Sequence, residues 1–216
     1  MSTSDTGFAY VYQPAPGGEP GLVLLMLHGT GGNERDLLPL GHALAPGAAL
    51  LSPRGQVSEH GQPRFFRRLA EGVFDLEDLH RRTDDLKAFV SEMAETHAFG
   101  GIPVVAVGFS NGANIAGSLL LSYPDLLAGA VLLRPMVPFV PESAPDLSGV
   151  QVFVGSGTAD PLVEVEETER WVTMLRDAGA EVELYWHSGG HGLGQDDVEQ
   201  AQRWLERQEW RTERQR

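Results

Sequence analysis

The sequence contains no cysteine, which removes disulfides, thiolate metal sites, iron–sulfur clusters and a cysteine nucleophile together. Lysine is almost as scarce. Of the 16 basic residues only Lys87 is lysine, leaving 16 − 1 = 15 arginines. A phosphate-binding P-loop needs Gly-Lys before Ser or Thr, and Lys87 lies in Asp-Leu-Lys-Ala, so that loop is excluded. Long apolar runs are missing as well. The longest, Leu22 to Leu27, falls far short of the roughly 20 residues that cross a bilayer. Met1 to Gly7 is polar, so no secretory leader is expected. Positive charge is in deficit: 16 Lys+Arg against 30 Asp+Glu give −14, a balance that repels phosphate backbones and anionic lipid. The expectation is a cytoplasmic protein that binds neither nucleic acid nor membrane.

What is present is an ordinary globular composition, 216 residues with 42% hydrophobic and 21% charged, enough for a sizeable core. Short apolar runs alternate with longer amphipathic ones. Phe8 to Tyr12, Leu22 to Leu27, Ala48 to Leu51, Pro103 to Val107, Ala128 to Leu133, Val150 to Val154 and Val182 to Trp186 read as strands. Most are continuously apolar, as strands buried on both faces of a parallel sheet are. Helical spacing marks Glu34 to Leu44, Thr83 to His97, Asn111 to Ser122, Val165 to Ala178 and Gln195 to Gln208. Strand–helix alternation predicts one α/β domain over 1–216, a mostly parallel sheet with helices on both faces, and frayed ends at 1–6 and 210–216. Pro53 to Asp75 shows no clear element, and loops of that length are usually functional or disordered.

The central motif is Gly108-Phe109-Ser110-Asn111-Gly112, a G-x-S-x-G pattern. By chance alone it occurs in roughly one such glycine-rich chain in six, so placement must carry the reading. Here it leaves a buried strand and enters a helix, the setting of a nucleophile elbow. A serine hydroxyl needs a base to take its proton and a third group to orient that base. In this architecture the order is Ser, then acid, then His. Asp160 follows the strand Val150 to Val154, and His191 follows the strand Val182 to Trp186 in a glycine-rich loop. All three then fall at one edge of the sheet. His187 is the rival base. His42, His60, His80 and His97 precede Ser110 and have the wrong order. His187 and His191 imitate a metal spacing, but Gly189-Gly190 breaks the helix that would align them, so no metal and no cofactor is expected. Acyl transfer also needs oxyanion donors, assigned to the backbone amides of Thr30, in His28-Gly29-Thr30-Gly31-Gly32-Asn33, and of Asn111. His28 reads as a brace for that loop.

Three segments together resemble the bacterial phospholipase/carboxylesterase family, within the α/β-hydrolases and beside the acyl-protein thioesterases. They are Leu27 to Glu34, Gly108 to Asn114, and Phe65-Phe66-Arg67-Arg68 followed by Glu71 to Asp75. Leu133 to Pro138 is similar to the family's strand end, while Leu162-Val163-Glu164 after Asp160-Pro161 departs from its usual sequence. The resemblance covers nearly the whole chain. It implies serine esterase activity with Ser110, Asp160 and His191 as the triad, and it implies a homodimer. Dienelactone hydrolases share the fold but use a cysteine, which is absent here.

Only 160 − 110 = 50 positions separate Ser110 from Asp160, too few for an inserted lid domain. An open site and a small ester substrate follow. Phe65, Phe66, Arg67, Met136 and Val163 are the expected substrate contacts, with the 53–75 stretch walling the pocket. The expected activity is hydrolysis of small or medium-chain carboxylic esters through an acyl-enzyme on Ser110. The alternatives are a lysophospholipase or acyl-protein thioesterase, and a non-catalytic ligand-binding relative. The acidic balance favours neutral esters unless arginines such as Arg67 line the entrance.

Overall fold

Val23–Leu27 shows how the core is built. All five residues are buried, with Val23, Leu25 and Leu27 packed on one side of the sheet and Leu24 and Met26 on the other. Side chains alternate along a strand, so a strand covered on both faces must be apolar throughout. The computed structural model describes residues 2–210. In chain order it has β1 (Ser2–Thr3), β2 (Ala9–Gln13), β3 (Val23–Leu27), α1 (Leu38–Leu44), β4 (Ala49–Pro53), β5 (Val57–Glu59) and β6 (Gln62–Arg64). Then come β7 (Arg68–Ala70), β8 (Val73–Phe74), α2 (Leu76–Thr96), β9 (Val104–Phe109), α3 (Asn111–Ser122) and β10 (Gly129–Leu133). The last are β11 (Gln151–Gly157), α4 (Val165–Asp177), β12 (Glu181–His187) and α5 (Gln195–Glu206).

Eight strands form one sheet in the order β1-β2-β4-β3-β9-β10-β11-β12. The β1 and β2 pairings are antiparallel and every pairing from β4 to β12 is parallel. This is the mostly parallel α/β-hydrolase sheet. Helices α2, α3 and α4 cover one face through Leu86, Leu119 and Trp171. Helices α1 and α5 cover the other through Leu44, Trp204 and Leu205. No helix of the described residues is long and apolar enough to cross a membrane.

The structure corrects the local expectations in four places. The 53–75 stretch carries two small antiparallel hairpins, β5–β6 and β7–β8. Their strands of two or three residues are too short to show periodicity. Helix α2 begins seven residues before Thr83, because the Asp75 carboxylate accepts the Asp78 N–H at 3.1 Å and caps it there. Helix α1 begins later than Glu34, since Asp36 accepts the Asn33 N–H at 3.0 Å and Asn33 the Arg35 N–H at 2.9 Å. Those side-chain bonds hold a turn in place of a helix. The expected fraying at 1–6 also fails for the described residues. Ser2–Thr3 pairs with β2, Ser4 is buried, and Glu92 accepts the Asp5 N–H at 2.7 Å. At the other end Trp210 packs edge-on against Trp204 at 5.9 Å; positions 211–216 lie outside the described residues.

Candidate active site

Ser110 sits between β9 and α3 with φ 52° and ψ −116°, a conformation that costs a non-glycine residue of order 1–3 kcal/mol. The surroundings hold it there. Its N–H donates to the Leu133 carbonyl at 2.8 Å, and its carbonyl accepts the Asn114 N–H at 3.0 Å. The flanking glycines are needed for close approach. A Cβ on Gly112 would lie 1.9 Å from the Leu27 oxygen, and one on Gly108 would lie 2.5 Å from the Gly112 oxygen.

Two loops at the same sheet edge bring up the other groups. His191 Nε2 stands 2.9 Å from Ser110 Oγ, and its Nδ1 stands 2.8 Å from Asp160 Oδ2. The second Asp160 oxygen accepts the N–H groups of Leu162 at 2.8 Å and Val163 at 3.3 Å, so the buried carboxylate cannot swing away. The rival His187 turns elsewhere, its Nδ1 accepting the Gly189 N–H at 2.9 Å.

The chain around Thr30 and Asn111 is tied down by Pro63 and Arg64 of the first hairpin and by Phe65 just after it. The Pro63 carbonyl accepts the Gly31 N–H at 2.9 Å, Arg64 Nη1 donates to Thr30 Oγ1 at 2.5 Å, and the Phe65 N–H donates to Asn111 Oδ1 at 2.7 Å. The Asn111 N–H, at the first position of α3, has no intrahelical acceptor. His28 braces the same loop from below: its Nδ1 meets the Gly29 carbonyl at 2.7 Å and its Nε2 accepts the Gly55 N–H at 3.0 Å. Burial lowers its pKa from the ordinary 6.5, in keeping with a neutral ring whose Nε2 must stay free to accept.

Ser110 and His191 open on a cleft of about 280 Å³ that Thr30, Asn111, Met136 and Val163 also line. Three expected contacts are displaced from it. Phe65 packs beneath the hairpin against the His28 ring at 4.7 Å, and Phe66 is fully buried edge-on to Phe74 at 5.1 Å. Their rings complete the core under the hairpins, which needs apolar cover. Arg67 points outward, 61% exposed, and pairs with Asp75 at 2.9 Å. The wall is made instead by Phe74, Leu162 and Asn114, with Arg64, Arg68 and Arg134. Asn114 is a buried polar residue in the first turn of α3; its Oδ1 accepts the Met136 N–H at 2.8 Å and fixes that wall. Among the described residues no group of three or more His, Asp or Glu side chains is disposed to hold a metal ion.

Several known proteins are similar to this chain. A family model described as "Serine aminopeptidase, S33" matches residues 23–156. The chain is 56% identical over 182 residues to the putative hydrolase MhqD of Bacillus subtilis, covering 84% of this chain and 91% of that one. The crystal structure of the Bacillus cereus carboxylesterase superposes with a TM-score of 0.87 at 47% identity, over 91% of this chain and 92% of the other. A Mesorhizobium loti carboxylesterase gives 0.83 at 33% identity, over 89% and 91%. The chain belongs to the phospholipase/carboxylesterase family of α/β-hydrolases. It is an esterase-type hydrolase.

Proposed function

We propose that the protein is a serine carboxylesterase that hydrolyses small or medium-chain esters through an acyl-enzyme on Ser110. The observation that carries this reading is the single imidazole of His191 bridging Ser110 at 2.9 Å and Asp160 at 2.8 Å. Asp160 accepts from Nδ1–H, which leaves Nε2 free to take the serine proton. Ser110 Oγ attacks the ester carbonyl carbon, and the developing oxyanion is met by the amides of Thr30 and Asn111. His191 then returns the proton to the departing alcohol. Water then attacks the acyl carbon, giving its proton to His191, and His191 passes that proton to Ser110 Oγ as the bond from that oxygen to the acyl group breaks and the acid leaves.

Ser110→Ala should lower kcat for p-nitrophenyl acetate or butyrate by ~10⁴-fold or more. Unchanged turnover would sink the mechanism. A series of ester and thioester substrates of rising acyl length separates this activity from a thioesterase, whose kcat/KM would climb beyond about eight carbons, against the modest size of the cleft.

A further inference from the structure

Three arginines line the cleft beside Ser110, and their hydrogen-bonding differs. A guanidinium has five N–H donors and no acceptor. Arg134, wholly buried, uses all five. Nε donates to the Gly190 carbonyl at 3.1 Å, Nη1 to the Gly155 carbonyl at 3.0 Å and Asp197 Oδ1 at 2.9 Å, and Nη2 to the Gly192 carbonyl at 3.0 Å and Asp197 Oδ2 at 2.7 Å. Nothing remains for a ligand.

Arg64 is different, although its side chain is only 4% exposed. Nε donates to the Phe66 carbonyl at 3.2 Å, with Glu59 also 3.2 Å away, and Nη1 donates to Thr30 Oγ1 at 2.5 Å. Among the described residues the second Nη1 proton and both Nη2 protons have no acceptor. Nη2 is not sealed from solvent, and Arg64 borders the cleft. Its ion-pair partner is shared: Glu59 lies 2.9 Å from Arg68 Nη2, and Arg68 also reaches Glu71 at 2.6 Å, an exposed carboxylate that borders the same cleft and acts on Arg64 from a longer range. A largely buried cation that shares its carboxylates with Arg68 and keeps free donors beside the cleft that Ser110 also lines is a ready receptor for a planar anion.

We propose that Arg64, with Arg68 beside it, binds a carboxylate on the substrate, so that the preferred esters carry a free carboxylate a few bonds from the scissile carbonyl. This rests on the esterase reading above. It also reverses the preference that a −14 chain would otherwise impose, by placing positive charge where the protein as a whole has too little.

The test compares matched esters by titration of released acid. Monoethyl glutarate is set against ethyl hexanoate, which places the charge on the acyl side, and acetylglycolate against propyl acetate, which places it on the alcohol side. The expected result is a kcat/KM at least about tenfold higher for the charged member of one pair, falling as salt screens the contact. Arg64→Gln should erase that ratio mainly through KM, and Arg64→Lys should keep part of it. Two results overturn the proposal. One is a wild-type enzyme that prefers the neutral ester in both pairs. The other is an Arg64→Gln variant that loses activity on charged and neutral esters equally, which would make Arg64 only a support for Thr30. Neither touches the esterase reading, which fails only if hydrolysis of the neutral esters does not depend on Ser110.

Discussion

The two sides of the cleft are built on opposite principles. On the His191 side, Arg134 and Asp197 are both fully buried, paired at 2.7 Å, and Arg134 ties down the carbonyls on either side of His191. Arg134 itself adopts φ 56°, a strained backbone angle for an arginine, and its five bonds fix the chain there. On the hairpin side, the ion pairs of Arg68 with Glu59 and Glu71 are partly exposed and Leu69 is 73% exposed. Exposed pairs of this kind contribute little to stability. The contrast teaches that a saturated buried network serves only to hold geometry, while the hairpin side both holds the Thr30 loop and, in the proposal above, keeps donors for a ligand.

That division can be broken experimentally. The largest stability effect is expected at Arg134. Arg134→Met leaves Asp197 charged and unpaired in the core and should cost ~3–5 kcal/mol in a denaturant titration. Adding Asp197→Leu should recover much of that loss, because replacing a whole buried pair by apolar residues is often neutral, yet turnover should stay depressed with His191's loop untied. A double variant no more stable than the single one would refute this account of the pair.

Next comes His28. Its folded pKa is lowered by burial, so the unfolded chain binds the proton more readily. The stability contributed by the neutral ring is fully present above pH 6.5, the ordinary histidine value, and is lost as the pH falls through the lower folded value. His28→Gln should flatten that part of the pH–stability curve relative to the wild type, at a cost of about 1 kcal/mol near neutrality. Parallel curves for the two proteins would remove His28 from the account. The smallest effect belongs to the exposed middle of β7, where Leu69→Ser should leave the unfolding free energy within about 0.5 kcal/mol of the wild type. A larger loss there would erase the contrast between the two sides.

Much of this was legible in the residues. The central strands of the sheet are apolar because both faces are covered, and Ser110, Asp160 and His191 follow strand ends, so an alternating α/β chain delivers them to one edge. The hairpins were not legible, since three-residue strands such as Val57–Glu59 carry no period to read. The displaced contacts fail for a related reason. Phe65 and Phe66 are apolar in either role, and only the hairpin's fold decides that they turn inward while Arg64 borders the cleft. Asp197 gave no signal either: a carboxylate in the first turn of a helix ordinarily reads as a favourable charge at the dipole, not as the partner of a buried arginine 197 − 134 = 63 positions away.

The anchoring of Asp160 reaches further than position alone. One of its oxygens is committed to two backbone N–H groups, at 2.8 Å and 3.3 Å, and only an acceptor suits that site. An asparagine there would be forced to give its carbonyl to the backbone and turn its NH₂ toward His191. The imidazole would then have to accept through Nδ1 and carry its proton on Nε2, facing a serine it could no longer deprotonate. The Asp160 carboxylate thus favours a proton on Nδ1 of His191, the Leu162 and Val163 amides hold that carboxylate in place, and ¹⁵N NMR of His191 in Asp160→Asn should show the proton moved to Nε2.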